Sequence, residues 1–106
     1  MPAHSSVQHL LTKYPDKVPI ILERHAGSGI SEMANRKFLV PRDLTVAQFQ
    51  YMIRKRISLP ATDALYLFFN NELPSMSMTM GALYTQYHHP DDLLLHGVYA
   101  SECTFG

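Results

Sequence analysis

Four stretches of the chain carry strand patterns and three carry helix patterns. Val18 to Arg24 alternates, with Val18, Ile20 and Leu22 on one face and Pro19 and Ile21 on the other. Pro19 cannot donate a ladder hydrogen bond, so it belongs at the strand's start or on an unpaired side. Arg36 to Val40 is a second strand, stopped by Pro41. Ala64 to Phe69 is a continuous apolar run, short enough for a strand buried on both faces, and Asn70-Asn71 supplies the turn after it. Leu93 to Tyr99 is the last strand, with Leu93, Leu95, Gly97 and Tyr99 sharing a face.

Helical spacing occurs three times. Val7, Leu10 and Leu11 predict a short helix over residues 5–12, ended by Pro15. Thr45 and Gln48 form a capping-box pattern that opens a helix reaching about Ile57. Its buried stripe is Phe49, Ile53 and Ile57, widened by Val46 and Met52. Arg54, Lys55 and Arg56 fall in its last turns, where cations suit the helix dipole. Met80, Leu83, Tyr84 and Tyr87 predict a helix over 77–88, which Gly81 weakens by about 1 kcal/mol relative to alanine. Residues 25–35 carry Gly27, Ser28, Gly29, Ser31 and Asn35 and read as a loop. The order is helix, β, β, α, β, α, β.

Composition narrows the function classes. A chain of 106 residues suits one domain, and 46% hydrophobic with 17% charged residues fits a globular one. A formal net charge of +0 lacks the basic excess of a general nucleic-acid binder. No apolar run approaches the roughly 20 residues that span a bilayer. The first residues lack the charged and apolar regions of a signal peptide. A single cysteine, Cys103, excludes an internal disulfide framework and points to a reducing, cytosolic setting.

Catalytic and metal signals are weak throughout. His88 and His89 are adjacent and would point apart on a helix, and His4, His9, His25 and His96 show no ligand spacing. These read as surface histidines, with no metal and no cofactor. Cys103 stands in a tail without a recognisable base. Asp91-Asp92 reads as a solvated turn, and Gly27-Ser-Gly29 does not match a phosphate loop. The chain reads as a binding module and not as an enzyme.

Several pieces together resemble the ubiquitin-like modifiers of autophagy, the GABA-receptor-associated-protein and microtubule-associated light-chain type, called autophagy-related protein eight in yeast. They are Lys13-Tyr-Pro-Asp-Lys-Val-Pro-Ile-Ile, Lys37-Phe-Leu-Val-Pro, Asp43-Leu-Thr-Val, Gln48-Phe, Ile53-Arg-Lys-Arg-Ile, Phe69-Asn-Asn, Met80-Gly, Leu83-Tyr and Thr104-Phe-Gly. Each is weak alone; their order and spacing over residues 13–106 make the resemblance specific. It implies an α+β ubiquitin-like β-grasp fold: a four-stranded mixed sheet, two main helices and a short N-terminal helix. Residues 1–12 would form the helical extension, and 13–106 the ubiquitin-like domain with its glycine tail.

The resemblance also implies two activities. One is conjugation through Gly106, by activating and carrier enzymes, to phosphatidylethanolamine on autophagosomal membranes. The other is docking of short aromatic-x-x-aliphatic motifs carried by cargo receptors and autophagy factors. The implied pocket for the aromatic anchor is Leu10, Pro19, Ile21, Lys37, Leu39 and Leu94. That for the aliphatic anchor is Phe38, Val40, Pro41, Leu44, Phe49, Met52 and Ile53. Lys17, Arg36, Lys37 and Arg56 would form a charged rim. The implied location is the cytoplasm, and the autophagosome membrane after lipidation. Alternatives from the same resemblance are a modifier joined to a protein lysine and an unconjugated adaptor.

The chain departs from the pattern in places. Twelve residues precede Lys13 where the family usually has two helices, so one helix is expected to be missing or reduced. Leu94 replaces a common phenylalanine, and the His88-His89-Pro90 turn is one residue longer. The sequence ends at Gly106: either the protein is made with its glycine exposed and needs no processing cysteine protease, or this end is a trimmed one.

Overall fold

The computed structural model describes residues 3–60 and 62–101, with side chains from Val7 onward. Seven elements follow in order: α1 (Ala3–Lys13), β1 (Lys17–Arg24), β2 (Lys37–Pro41), α2 (Val46–Arg56), β3 (Tyr66–Phe69), α3 (Met80–Tyr87) and β4 (Leu95–Ala100). The sheet order is β2-β1-β4-β3. β1 runs parallel to β4, while β2 and β3 pair antiparallel with their neighbours. This is the mixed four-stranded sheet that the resemblance implied.

Alternation sorts the strands onto two faces. Val18, Ile20 and Leu22 of β1 have no accessible surface. Their partners Val40 and Phe38 share that face, as do Leu67 and Phe69 of β3 and Leu95 and Tyr99 of β4. α2 closes the core with Val46, Phe49 and Ile53, all fully buried, and α3 adds Met80, Leu83 and Tyr84. Gly97 sits on this face between facing strands. A Cβ there would lie 2.6 Å from Phe69 Cε1 and 2.8 Å from Leu22 Cδ1. The opposite face carries Pro19, Ile21, Lys37, Leu39, Phe68 and Ala100, and α1 packs against β1.

The α2 cap forms as its sequence predicts. Gln48 N–H donates to Thr45 Oγ1 at 3.2 Å, and Thr45 N–H donates to Gln48 Oε1 at 2.9 Å. Asn70 and Asn71 both adopt positive φ, 54° and 63°, and Phe69 and Glu72 exchange two backbone hydrogen bonds around them. Paired left-handed residues are the signature of a tight hairpin turn, which asparagine tolerates.

Several boundaries differ from expectation. α3 begins at Met80 and not at 77, because residues 76–79 pair with the start of α2. Ala47 N–H donates to Met76 O at 3.0 Å, Val46 N–H to Met78 O at 2.8 Å, and Thr79 caps α3 through the Ala82 N–H. α1 is longer than predicted, reaching Lys13. β2 includes Pro41 and drops Arg36, although the Leu22 N–H still bonds Arg36 O at 2.8 Å. β3 starts at Tyr66, since the Leu65 and Asp63 carbonyls are taken by α2 side chains. Leu93 does not share a strand face with Leu95. Its φ is 61°, a turn conformation, and β4 starts two residues later. Ile57 is the C-cap of α2 and only partly buried.

Candidate docking edge on strand β2

β2 is an edge strand, and its register decides which backbone groups are open. Pro19 has no N–H and faces Leu39, so Leu39 occupies a non-hydrogen-bonded pair with β1. The hydrogen-bonded positions are then Val18–Val40 and Ile20–Phe38, in line with the Leu22–Arg36 bond one step further. It follows that the N–H and C=O of Lys37 and Leu39 point away from the sheet. At Lys37 both are met by one side chain. Asn35 Nδ2 donates to Lys37 O at 3.1 Å, and Lys37 N–H donates to Asn35 Oδ1 at 3.4 Å. The two groups of Leu39 have no partner among the described residues. Asn35 lay inside the predicted loop; its only sequence signal was an amide two residues ahead of an edge strand.

On the outer face, the register brings Pro19 beside Leu39 and Ile21 beside Lys37. Pro19 is buried; Ile21 and Leu39 are half-buried; Lys37 is exposed. Leu10 is half-buried on α1, the helix packed on β1. Leu94 precedes Leu95, the partner of Ile20, and is buried outside the main core cluster. Its position is set by a network. Leu94 N–H donates to Asp92 Oδ1 at 3.0 Å, Asp92 Oδ2 meets His96 Nε2 at 2.6 Å, and Tyr84 O–H donates to Leu93 O at 2.7 Å. Burial pushes the Asp92 carboxyl up, but the Leu94 N–H and the His96 ring outweigh it, leaving its pKa lowered. Burial raises the Tyr84 phenol.

On the core side, the seven residues of the implied aliphatic pocket lie close together but differ in reach. Phe49 and Ile53 have no accessible surface, and Phe38 and Val40 are 8% and 4% exposed. Phe38 meets Phe49 edge-on at 5.8 Å. These four form a floor that belongs to the core. The surface a ligand can touch comes from Pro41, which is exposed, and Leu44 and Met52, which are partly buried against the core.

The rim charges are placed unevenly. The Arg56 guanidinium lies over the Phe38 ring at 5.4 Å. Arg36 pairs with Glu23 at 3.3 Å, both about half exposed, so the pair is worth little. Lys17 faces Pro41 across the β1–β2 ladder. Gly106 and Cys103 lie outside the described residues. No helix among the described residues is long and apolar enough to cross a membrane.

The sheet order, the α2 clasp and the parallel β1–β4 pair define a ubiquitin-like protein. Comparison then narrows the class. Residues 3–106 match the family described as "Autophagy protein Atg8 ubiquitin like", and the chain belongs to that family. The crystal structure of ATG8 from Trypanosoma brucei is similar, with a TM-score of 0.88 and 38% identity; the match covers 98% of this chain and 89% of that one.

Proposed function

We propose that this chain is an autophagy modifier that is conjugated to phosphatidylethanolamine through Gly106 and docks aromatic-x-x-aliphatic segments on β2. The observation that carries the docking half is the open edge at Leu39, with Pro19, Ile21 and Leu39 on one side and Pro41, Leu44 and Met52 on the other. An extended segment would add its own strand there, and alternate side chains would enter the two sides. Two buried anchors at roughly 1.5–3 kcal/mol each, together with the main-chain hydrogen bonds and less the ordering cost, give binding on the order of micromolar. Lys17, Arg36, Lys37 and Arg56 suit acidic residues flanking the segment.

The conjugation half rests on family membership and on Gly106 standing behind Thr104-Phe105, the pattern of the resemblance. With no Cβ, Gly106 can carry its carboxyl into an activating enzyme and onto a carrier's cysteine without side-chain collision. The nucleophiles belong to the partners, so the chain is a carried substrate and not the catalyst. This reading places it in the cytoplasm and, once lipidated, on the autophagosomal membrane. A processing cysteine protease is a further partner wherever the primary product extends past Gly106.

Incubation with activating and carrier enzymes, ATP and phosphatidylethanolamine liposomes tests conjugation, with Gly106→Ala as control. A lipid mass gain on the wild type alone supports it. A branched peptide in cells points to a protein lysine as acceptor, and no conjugate at all points to an unconjugated adaptor. Docking is tested by calorimetry with a Trp-x-x-Leu peptide.

A further inference from the structure

The Asn35 side chain holds Lys37 in the way a neighbouring strand would. Its amide nitrogen donates to the Lys37 carbonyl at 3.1 Å, and its amide oxygen accepts the Lys37 N–H at 3.4 Å. A docking strand, parallel or antiparallel, must make the same two bonds, because Lys37 and Leu39 are the outward-facing residues of β2. The two arrangements exclude each other. We propose that Asn35 is an edge guard: its amide occupies half of the docking edge in the free protein and must be displaced before a strand can add. This deepens the docking function proposed above and rests on it.

The arrangement has a physical purpose apart from ligands. An edge strand with two consecutive open positions is a template for pairing with a second copy. Asn35 closes the Lys37 position and leaves Leu39 alone, where too few backbone bonds remain to hold an unselected strand. Because both bonds are exposed, breaking them costs little. The guard therefore sets a modest threshold. Segments with two good side-chain anchors exceed it, and segments offering backbone alone do not. Among the described residues, Asn35 hydrogen-bonds to Lys37 and to no other residue of the two implied pockets, so it acts as a specificity-determining residue and not as part of either pocket wall.

The test uses Asn35→Ala, which removes the amide, and Asn35→Leu, which keeps its bulk without its bonds. Two readouts are taken on the whole chain. Hydrogen exchange of the Lys37 amide in the free protein should quicken in both variants; an unchanged rate overturns the guard. Affinity for a Trp-x-x-Leu peptide should tighten roughly two- to fivefold in both, the range of one or two weak exposed hydrogen bonds no longer in competition. Tightening in the alanine variant alone would mean that bulk and not bonding is the obstacle, and would overturn the proposal. So would unchanged or weaker binding. If the wild type binds no such peptide, the docking function fails instead, and the guard is then decided by Lys37 exchange alone.

Discussion

Gly81 sets two rules of helix chemistry against each other, and the geometry decides between them. It occupies the second position of α3, where alanine would be worth about 1 kcal/mol more than glycine on propensity alone. Yet a Cβ built there lies 2.9 Å from Arg42 Cβ and 2.9 Å from Arg42 O. Neither is the end of a flexible side chain. The Arg42 carbonyl already accepts the Gly81 N–H at 2.8 Å, and the Arg42 N–H is tied to Asp16 O at 2.9 Å. Relief requires α3 to back away, which also stretches the 2.7 Å bond from Met80 N–H to Leu44 O. Overpacking costs about 1–3 kcal/mol. A loosened hydrogen bond costs about 0.5–1.5 kcal/mol. Less the propensity gain, Gly81→Ala should destabilise by roughly 0.5–3.5 kcal/mol, with a fall in Tm of about 2–16 °C for a domain of this size. Urea unfolding should show a lower midpoint at unchanged m. A midpoint equal to or above that of the wild type would mean that the Arg42–Gly81 stitch does not constrain α3.

Other perturbations separate core from surface on the same strands. Gly97→Ala should cost about 1–3 kcal/mol in chemical unfolding, because its Cβ would press between Phe69 and Leu22 inside a closed core. Phe38→Ala should lower stability by about 3–5 kcal/mol, since the ring is 92% buried by the complement of its 8% exposure and packs on Phe49. Leu39→Ala, on the half-buried outer face, should unfold almost as the wild type does but bind a Trp-x-x-Leu peptide about tenfold more weakly by calorimetry. Asp92 has a folded pKa below its ordinary 3.8, so its contribution is full above 3.8 and fades as pH falls through the lower folded value. Asp92→Asn should therefore flatten the acid limb of a stability–pH curve, and an unchanged limb would show that the Leu94 and His96 contacts carry no stability.

Local pattern carried much of the fold into view. The capping box at Thr45 and the alternation in β1 depend on residues within a few positions of one another, so their geometry follows from the chain alone. The start of α3 does not. Residues 77–79 have helical spacing, but the backbone bonds to residues 44–47 win over one more helical turn, and that competition involves a segment more than thirty residues away. Leu93 shows the same limit. Its apolar side chain reads as strand, while its left-handed backbone is fixed by bonds to His89 O and from the Tyr84 hydroxyl. At the candidate site, alternation separated Phe38 and Val40 from Lys37 and Leu39. The division of the aliphatic group into a sealed floor and a reachable wall needed the packing of α2. Gly81 looked like a weak point in a helix because its reason lies across the interface at Arg42.

The two edges of the sheet differ in a way that bears on where a strand would add. At β3, Phe69 gives both its outward backbone groups to Glu72, and Gln50 Nε2 holds the Leu65 carbonyl at 2.7 Å. Only Leu67 is left facing outward there among the described residues, on a strand of four residues. Its side chain is fully buried in the core, so an added strand would find one open backbone position. At β2, Leu39 is open and Lys37 is held by a side chain that can swing away. Half-buried apolar surface lies to either side of that position. Main-chain bonding alone is available at both edges and would not discriminate between them. The difference lies in side-chain surface, which β2 can offer because α2 seals one face of the strand while Leu44 and the helix's own Met52 stay only partly buried. Under the proposed docking function the same helix would both stabilise the strand and leave its edge selective, and a substitution that buried Met52 more deeply would strengthen the first role at the expense of the second.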